Sequence, residues 1–176
     1  MPLAPPTNDA TCAKIVDILG SRAHARLVID EAGAERLRTA GAPDELLARR
    51  VWPDPAAEPA SEVERTPDDI AFVQYSSGST RAPKGVIVRH GQALANLAAI
   101  RAGAELGRAD RTLSWMPLSH DMGLVGFHLA PLSAFAAEQT ILPTSLFARS
   151  PLVWLQEAST RRSTCRCSWC STCPRS

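Results

Sequence analysis

Apolar positions along the chain fall into short periodic groups separated by proline, glycine and charge. Ala13, Val16 and Leu19 recur at helical spacing behind a capping residue at Asn8 or Asp9, and Gly20 closes that helix. Leu27, Val28 and Ile29 make a short strand. A helix is predicted over 31–39, ending at Gly41, and Pro43 opens another that carries Leu46 and Leu47. Residues 52–69 are rich in proline and acid, which predicts a surface connection. Strands follow at 70–75 and 86–88, then a helix over about 92–101 with Leu94, Leu97 and Ile100. A strand over 112–115, a helix from Leu124, a strand near 139–142 and a helix over 152–158 complete the series. Strands alternating with helices predict an α/β fold with a largely parallel sheet and flanking helices. Ligands of such sheets sit at the carboxyl ends of strands, which points to the residues after Tyr75 and after Trp115.

Both places carry chemistry. After the apolar run Ile70-Ala71-Phe72-Val73 comes Gln74-Tyr75-Ser76-Ser77-Gly78-Ser79-Thr80-Arg81-Ala82-Pro83-Lys84-Gly85. Hydroxyl donors, backbone N–H groups freed by glycine and one mobile cation are what phosphate oxygens require. By composition alone such a stretch is also a solvated Ser/Gly turn. It is not the G-x-x-x-x-G-K-[ST] loop, because five residues separate Gly78 from Lys84 and Gly85 follows the lysine. The second place is Ser114-Trp115-Met116-Pro117-Leu118-Ser119-His120-Asp121-Met122-Gly123-Leu124. Its plain reading is a turn at His120 and a helix capped by Asp121 near Met122.

The first string resembles the phosphate-loop motif of the adenylate-forming superfamily, which includes acyl-CoA synthetases, adenylation domains and luciferases. The match lies at Tyr75, Ser77, Gly78, Ser79, Thr80, Pro83, Lys84 and Gly85. Ser76 keeps the hydroxyl usual there, whereas Arg81 stands where the family commonly has glycine. Arg81 and the His120-Asp121-Met122-Gly123-Leu124 turn are similar to the fatty-acyl-AMP ligase branch. An acyl-CoA ligase and an amino-acid adenylation domain are the alternatives within the fold.

The resemblance implies ATP as substrate, Mg2+ as its companion ion, and activation of a fatty or other carboxylic acid to an acyl adenylate with release of pyrophosphate. An acyl carrier protein or polyketide synthase is the implied acceptor. Ser77, Gly78, Ser79, Thr80, Arg81, Lys84 and Gly85 are then expected to hold phosphates, and His120 to line the acyl-carboxylate pocket. The resemblance covers roughly 1–159 and only part of the family's large N-terminal domain. The opening Met1-Pro2-Leu3-Ala4-Pro5-Pro6 resembles an interior strand and turn of that domain. The acidic magnesium ligand, the ribose-binding aspartate and the lid lysine of the family have no counterpart here, so no turnover is expected from the chain alone.

Composition adds limits. A formal net charge of +1 over 176 residues gives no electrostatic case for nucleic acid or an anionic membrane. The most apolar stretch, 124–137, is interrupted by His128 and Pro131 and is too short to span a bilayer. No secretory leader is visible at the start, and the cytoplasm is the expected location. Cys12 is expected to be a small core residue. Cys165, Cys167, Cys170 and Cys173 crowd into a tail that, after Ser159, loses Ala, Leu, Val, Gly and acid altogether. Two readings remain for 160–176: a thiolate metal site, or a shifted reading frame that ends the domain at 159, with no metal bound. The bland alternatives for the whole chain are a non-catalytic nucleotide-binding remnant and a small metal-binding protein.

Overall fold

A computed structural model describes residues 2–54, 56–58, 61–75 and 84–164. The described chain divides into two compact units. The first comprises the described residues of 3–64 together with Tyr75, Lys84 and Gly85, and the second comprises Pro2, 65–74 and 86–164.

In the first unit, helix α1 (Asp9–Gly20) starts as expected. Asn8 Oδ1 accepts from the Thr11 amide at 2.9 Å, and Thr11 Oγ1 accepts from the Asn8 amide at 3.2 Å, so two otherwise orphaned donors are satisfied reciprocally. The buried face of α1 is Cys12, Ile15, Ile18 and Leu19. Ala13 is exposed, so the predicted stripe is one residue out of phase at its start. Cys12 is 1% exposed and is the core residue expected of it.

Strand β1 (Leu27–Val28) runs parallel to β2 (Arg50–Val51), with Leu27 opposite Arg50. Helix α2 (Glu31–Thr39) is capped by Asp30, whose Oδ1 accepts from the Gly33 amide at 2.8 Å. It ends at Gly41, whose φ of +84° lies in the left-handed region glycine tolerates. Helix α3 (Asp44–Leu47) begins after Pro43. Cys12, Ile15, Leu19, Leu27, Leu37, Ala42 and Leu46 close one hydrophobic core.

Strand β3 (Ile70–Tyr75) pairs with β4 (Gly85–Arg89) in a two-stranded sheet; all of both strands except Tyr75 and Gly85 belongs to the second unit. Helix α4 (His90–Ala104) starts two residues earlier than expected. The His90 and Gly91 amides donate to the carbonyls of Asp69 (3.0 Å) and Pro67 (2.8 Å), and the Gln92 side chain accepts from the Arg89 amide at 3.0 Å. Strand β5 (Arg111–Ser114) is parallel to β6 (Glu138–Ile141), in register from Arg111 opposite Glu138 to Ser114 opposite Ile141.

A π-helix (Met122–Leu129) and a short α5 (Ala130–Ser133) make the crossover between these strands and pack against α4. Helices α6 (Thr144–Arg149) and α7 (Leu152–Thr160) follow. The parallel α/β expectation therefore holds at β1–β2 and β5–β6. Among the described residues the strands form three separate pairs rather than one continuous sheet.

Hydrogen bonding does not stop where the composition changes. Arg161 donates to Glu157 at 2.8 Å and to Glu138 at 3.0 Å. The Thr164 amide donates to the Arg111 carbonyl at 2.9 Å. The Thr164 hydroxyl accepts from the Arg111 amide and donates to Asp110 Oδ1, both at 2.8 Å. Thr164 thus meets β5 at its first residue, Arg111, and Arg161 reaches β6 at Glu138. The four tail cysteines are outside the described residues.

Candidate functional site

The phosphate-type segment leaves the carboxyl end of β3 and returns at the start of β4. Ser77, Gly78, Ser79, Thr80 and Arg81 lie outside the described residues. The two edges of the segment are described. Lys84 is exposed, and among the described residues no ion pair engages its ammonium. Gly85 opens β4 and is exposed as well.

At the other edge, Tyr75 is held by a residue the sequence reading did not single out. Arg22 Nε donates to Tyr75 Oη at 2.8 Å, and its guanidinium carbon is 5.8 Å from the ring centroid. That partnership spans 53 positions in sequence, and no local pattern announces it.

The second motif is built on β5. Ser114, its last residue, is buried, and its hydroxyl accepts from the Met116 amide at 3.1 Å, turning the chain out of the strand. Trp115 stacks on Phe147 with ring centroids 4.0 Å apart and planes within 2°. Thr144 Oγ1 donates to the Trp115 carbonyl at 2.9 Å, fixing the same corner from α6.

The His120 amide then donates to the Pro117 carbonyl at 3.0 Å, and the Leu124 amide donates to the His120 carbonyl at 2.9 Å. Asp121 Oδ1 accepts from the Met122 amide at 2.7 Å, the predicted cap. His120 Nδ1 lies 2.6 Å from Asp121 Oδ1 and 3.2 Å from the Met122 amide nitrogen. These contacts make opposite demands on Nδ1. The Met122 amide is already satisfied by the shorter bond to Asp121, so Nδ1 carries the proton toward Asp121. Nε2 is then the ring nitrogen available to a ligand, on a side chain that is about half exposed.

Gly123 explains the tight geometry. A Cβ there would lie 2.1 Å from the Pro117 carbonyl oxygen, a distance no side chain can occupy. The π-helix can approach the β5 exit only because residue 123 is glycine. Further along, His128 Nδ1 meets Gln139 Oε1 at 3.1 Å, while Gln139 Nε2 donates to the His128 carbonyl at 3.2 Å, tying the π-helix to β6. Such insertions of an extra residue per turn recur at functional sites.

Lys84 and Gly85 belong to the first unit and His120 to the second, and each is placed within its own unit. The clearest charge perturbations lie away from both motifs. The Arg161 guanidinium, by hydrogen bond first, holds the Glu138 carboxyl below its ordinary range. Arg50 does the same to Glu31, and the Thr66 amide lowers Asp69. Among the described residues no three His, Cys, Asp or Glu side chains converge as metal ligands.

The profile of the AMP-binding enzyme family matches residues 5–169. A Caulobacter vibrioides protein provisionally named an acyl-CoA synthetase is 52% identical over 91 residues, which is 51% of this chain and 16% of that protein. The long-chain-fatty-acid–AMP ligase FadD32 of Mycolicibacterium smegmatis is 36% identical over 115 residues, covering 65% of this chain and 16% of its own length. The chain thus spans about a sixth of these relatives. Among solved structures, the fatty acyl-adenylate ligase of L. pneumophila in complex with acyl adenylate and pyrophosphate superposes with a TM-score of 0.71 at 26% identity. That alignment covers 93% of this chain and 29% of the ligase chain.

Proposed function

The chain belongs to the AMP-binding enzyme family, and on that premise we propose that it is the phosphate-binding part of a ligase that activates a fatty acid with ATP. In that reaction a carboxylate oxygen attacks the α-phosphorus. The new O–P bond forms the acyl adenylate as the bond to the β-phosphate oxygen breaks, and pyrophosphate leaves with its electron pair. No proton needs to move at the attacking oxygen. The requirement is positive charge and N–H or O–H donors placed around the phosphates before the reaction begins.

The observation that carries this reading is the position of the 74–85 segment between the end of β3 and the start of β4, in a chain whose family match runs through it. Ser77, Ser79 and Thr80 supply hydroxyl donors, Gly78 and Gly85 let the backbone approach, and Lys84 neutralises β/γ charge, with Arg81 adding to it. His120 lines the pocket for the acyl-carboxylate end of the substrate. The His120-Asp121-Met122-Gly123-Leu124 turn favours a fatty-acyl-AMP ligase over a CoA ligase. An acyl carrier protein or polyketide synthase is then the acceptor, and ATP chemistry places the protein in the cytoplasm. No helix among the described residues is long and apolar enough to cross a membrane. Mg2+ accompanies the nucleotide. Among the described residues no three His, Cys, Asp or Glu side chains converge to hold it. Residues 160–176 are read as lying outside the ancestral domain, through a shifted frame.

Calorimetric titration of the purified chain with MgATP tests this. Lys84→Ala should weaken binding by about tenfold, the order expected for losing one charge-assisted phosphate contact. Equal affinity of variant and wild type would remove Lys84 from the site. No pyrophosphate release is expected from the chain alone on adding a fatty acid.

A further inference from the structure

The turn that carries His120 is held by its backbone. The His120 amide donates to the Pro117 carbonyl at 3.0 Å, and its carbonyl accepts from the Leu124 amide at 2.9 Å. The side chain is held by its neighbour, with Nδ1 2.6 Å from Asp121 Oδ1. An ionised carboxylate only accepts, so Nδ1 is the donor in that contact. The π-helix that follows packs against α4, α5 and β5, and His128 ties it to β6. The titratable side chains of those four elements are His90, Arg101, Arg111 and Glu138. None of them bonds to the His120 ring, and Glu138 is paired with Arg161. Among the described residues, Asp121 is the charged group that touches the imidazole.

That contact sets a condition on any anion at the other ring nitrogen. With the ring neutral, Nε2 carries a lone pair, which repels a carboxylate oxygen. With Nε2 protonated, the same nitrogen becomes a charge-assisted donor to it. We propose that His120 and Asp121 bind the substrate carboxylate together with one proton. The buffer supplies that proton, an N–H bond forms at Nε2, and no other bond is made or broken. Asp121 keeps the first proton on Nδ1 and so leaves Nε2 as the place for the second. One carboxylate oxygen then accepts from Nε2–H, while the other stays free to act as nucleophile. The ring is about half exposed, so the proton reaches it directly from solvent. This inference rests on the proposed reading of His120 as a residue of the acyl-carboxylate pocket.

Octanoate is the probe. The chain holds four histidines, and His120→Gln identifies the His120 signals in 15N-imidazole spectra by their loss. Octanoate affinity is measured over the pH range in which those spectra show the free His120 ring neutral. Each pH unit upward should weaken wild-type binding by about tenfold, the linkage slope for one proton. At saturation the Nε2 signal should become that of a protonated nitrogen. His120→Gln, whose amide donates without taking up a proton, should bind octanoate with an affinity independent of pH. Asp121→Ser keeps a hydroxyl at the helix start but falls short of the ring. Its neutral imidazole should lose the preference for a proton on Nδ1.

An affinity flat in pH, while octanoate moves the His120 signals, would overturn the proton coupling and leave the pocket reading standing. A tenfold slope with Nε2 still bare at saturation would overturn it too, because the proton would then ride on the acid. So would a slope that survives in His120→Gln, or an Asp121→Ser ring with its tautomer unchanged. Octanoate that does not bind, or binds without moving the His120 signals, would instead sink the pocket reading, and this inference with it.

Discussion

Replacing Gly123 by alanine perturbs the second motif at its tightest point. The added methyl would start 2.1 Å from the Pro117 carbonyl oxygen, 2.8 Å from the Pro117 carbonyl carbon and 3.1 Å from the Met116 oxygen. To reach the 3.4 Å of an ordinary contact, the carbonyl would have to retreat by about 1.3 Å. The obstacle is backbone, not the mobile end of a side chain, so it cannot swing aside. That carbonyl also accepts from the His120 amide at 3.0 Å, and moving it strains the turn that presents the imidazole.

Overpacking of this kind costs about 1–3 kcal/mol, and a weakened turn bond adds to it. Alanine gains back up to about 1 kcal/mol by its better helix propensity. The net loss should therefore be about 1–3 kcal/mol, or about 3–10 °C in Tm at this chain length. The assay is thermal unfolding by circular dichroism, with Gly126→Ala as the internal control. A Cβ at Gly126, in the same π-helix, would meet only the Met122 side chain at 3.8 Å. That variant should match or exceed wild type. Gly123→Ala as stable as wild type, or Gly126→Ala equally damaged, would refute the close-approach argument.

Two further outcomes are expected. Thr164→Val should cost about 1–3 kcal/mol, because it strips the Arg111 amide of an acceptor and leaves an oxygen of the buried Asp110 without its donor; unchanged chemical denaturation would mean that residues 161–164 do not hold β5. Acid should destabilise the chain through Glu138, whose folded-state pKa lies below the ordinary value of 4.5 because Arg161 donates to it. A lowered folded pKa gives stability that is complete above the unfolded value and is lost as pH falls through the folded one. The gap in Tm between wild type and Arg161→Met should thus be present at about pH 7 and shrink below about pH 4.5; a gap independent of pH would contradict it.

Much of this fold is legible from local signals. Asn8 with Thr11, and Asp30 with Gly33, mark helix starts by side-chain chemistry that operates within one turn. Asp121 does the same for the π-helix. What the residues hide is set from a distance. Strand β2 is two residues long and exists because β1 pairs with it, while nothing in Arg50 and Val51 alone calls for a strand. Helix α6 is not legible in the sequence because its six residues carry no periodic stripe; the Trp115–Phe147 stack and the Thr144 bond hold it in place. The extra residue per turn after Met122 depends on a glycine that fits against Pro117. The site shows the same division. The residue types of the 74–85 segment speak for phosphate directly, whereas Arg22 enters only through a contact 53 positions away.

The central claim is that the 74–85 segment grips nucleotide phosphates. The most direct measurement is a 15N–1H spectrum of the 176-residue chain titrated with MgATP. The account predicts that the largest amide shifts fall on residues 76–85, with the Tyr75 signals following at the same saturation. Shifts absent throughout, or concentrated on the cysteines at 165–173, would contradict it.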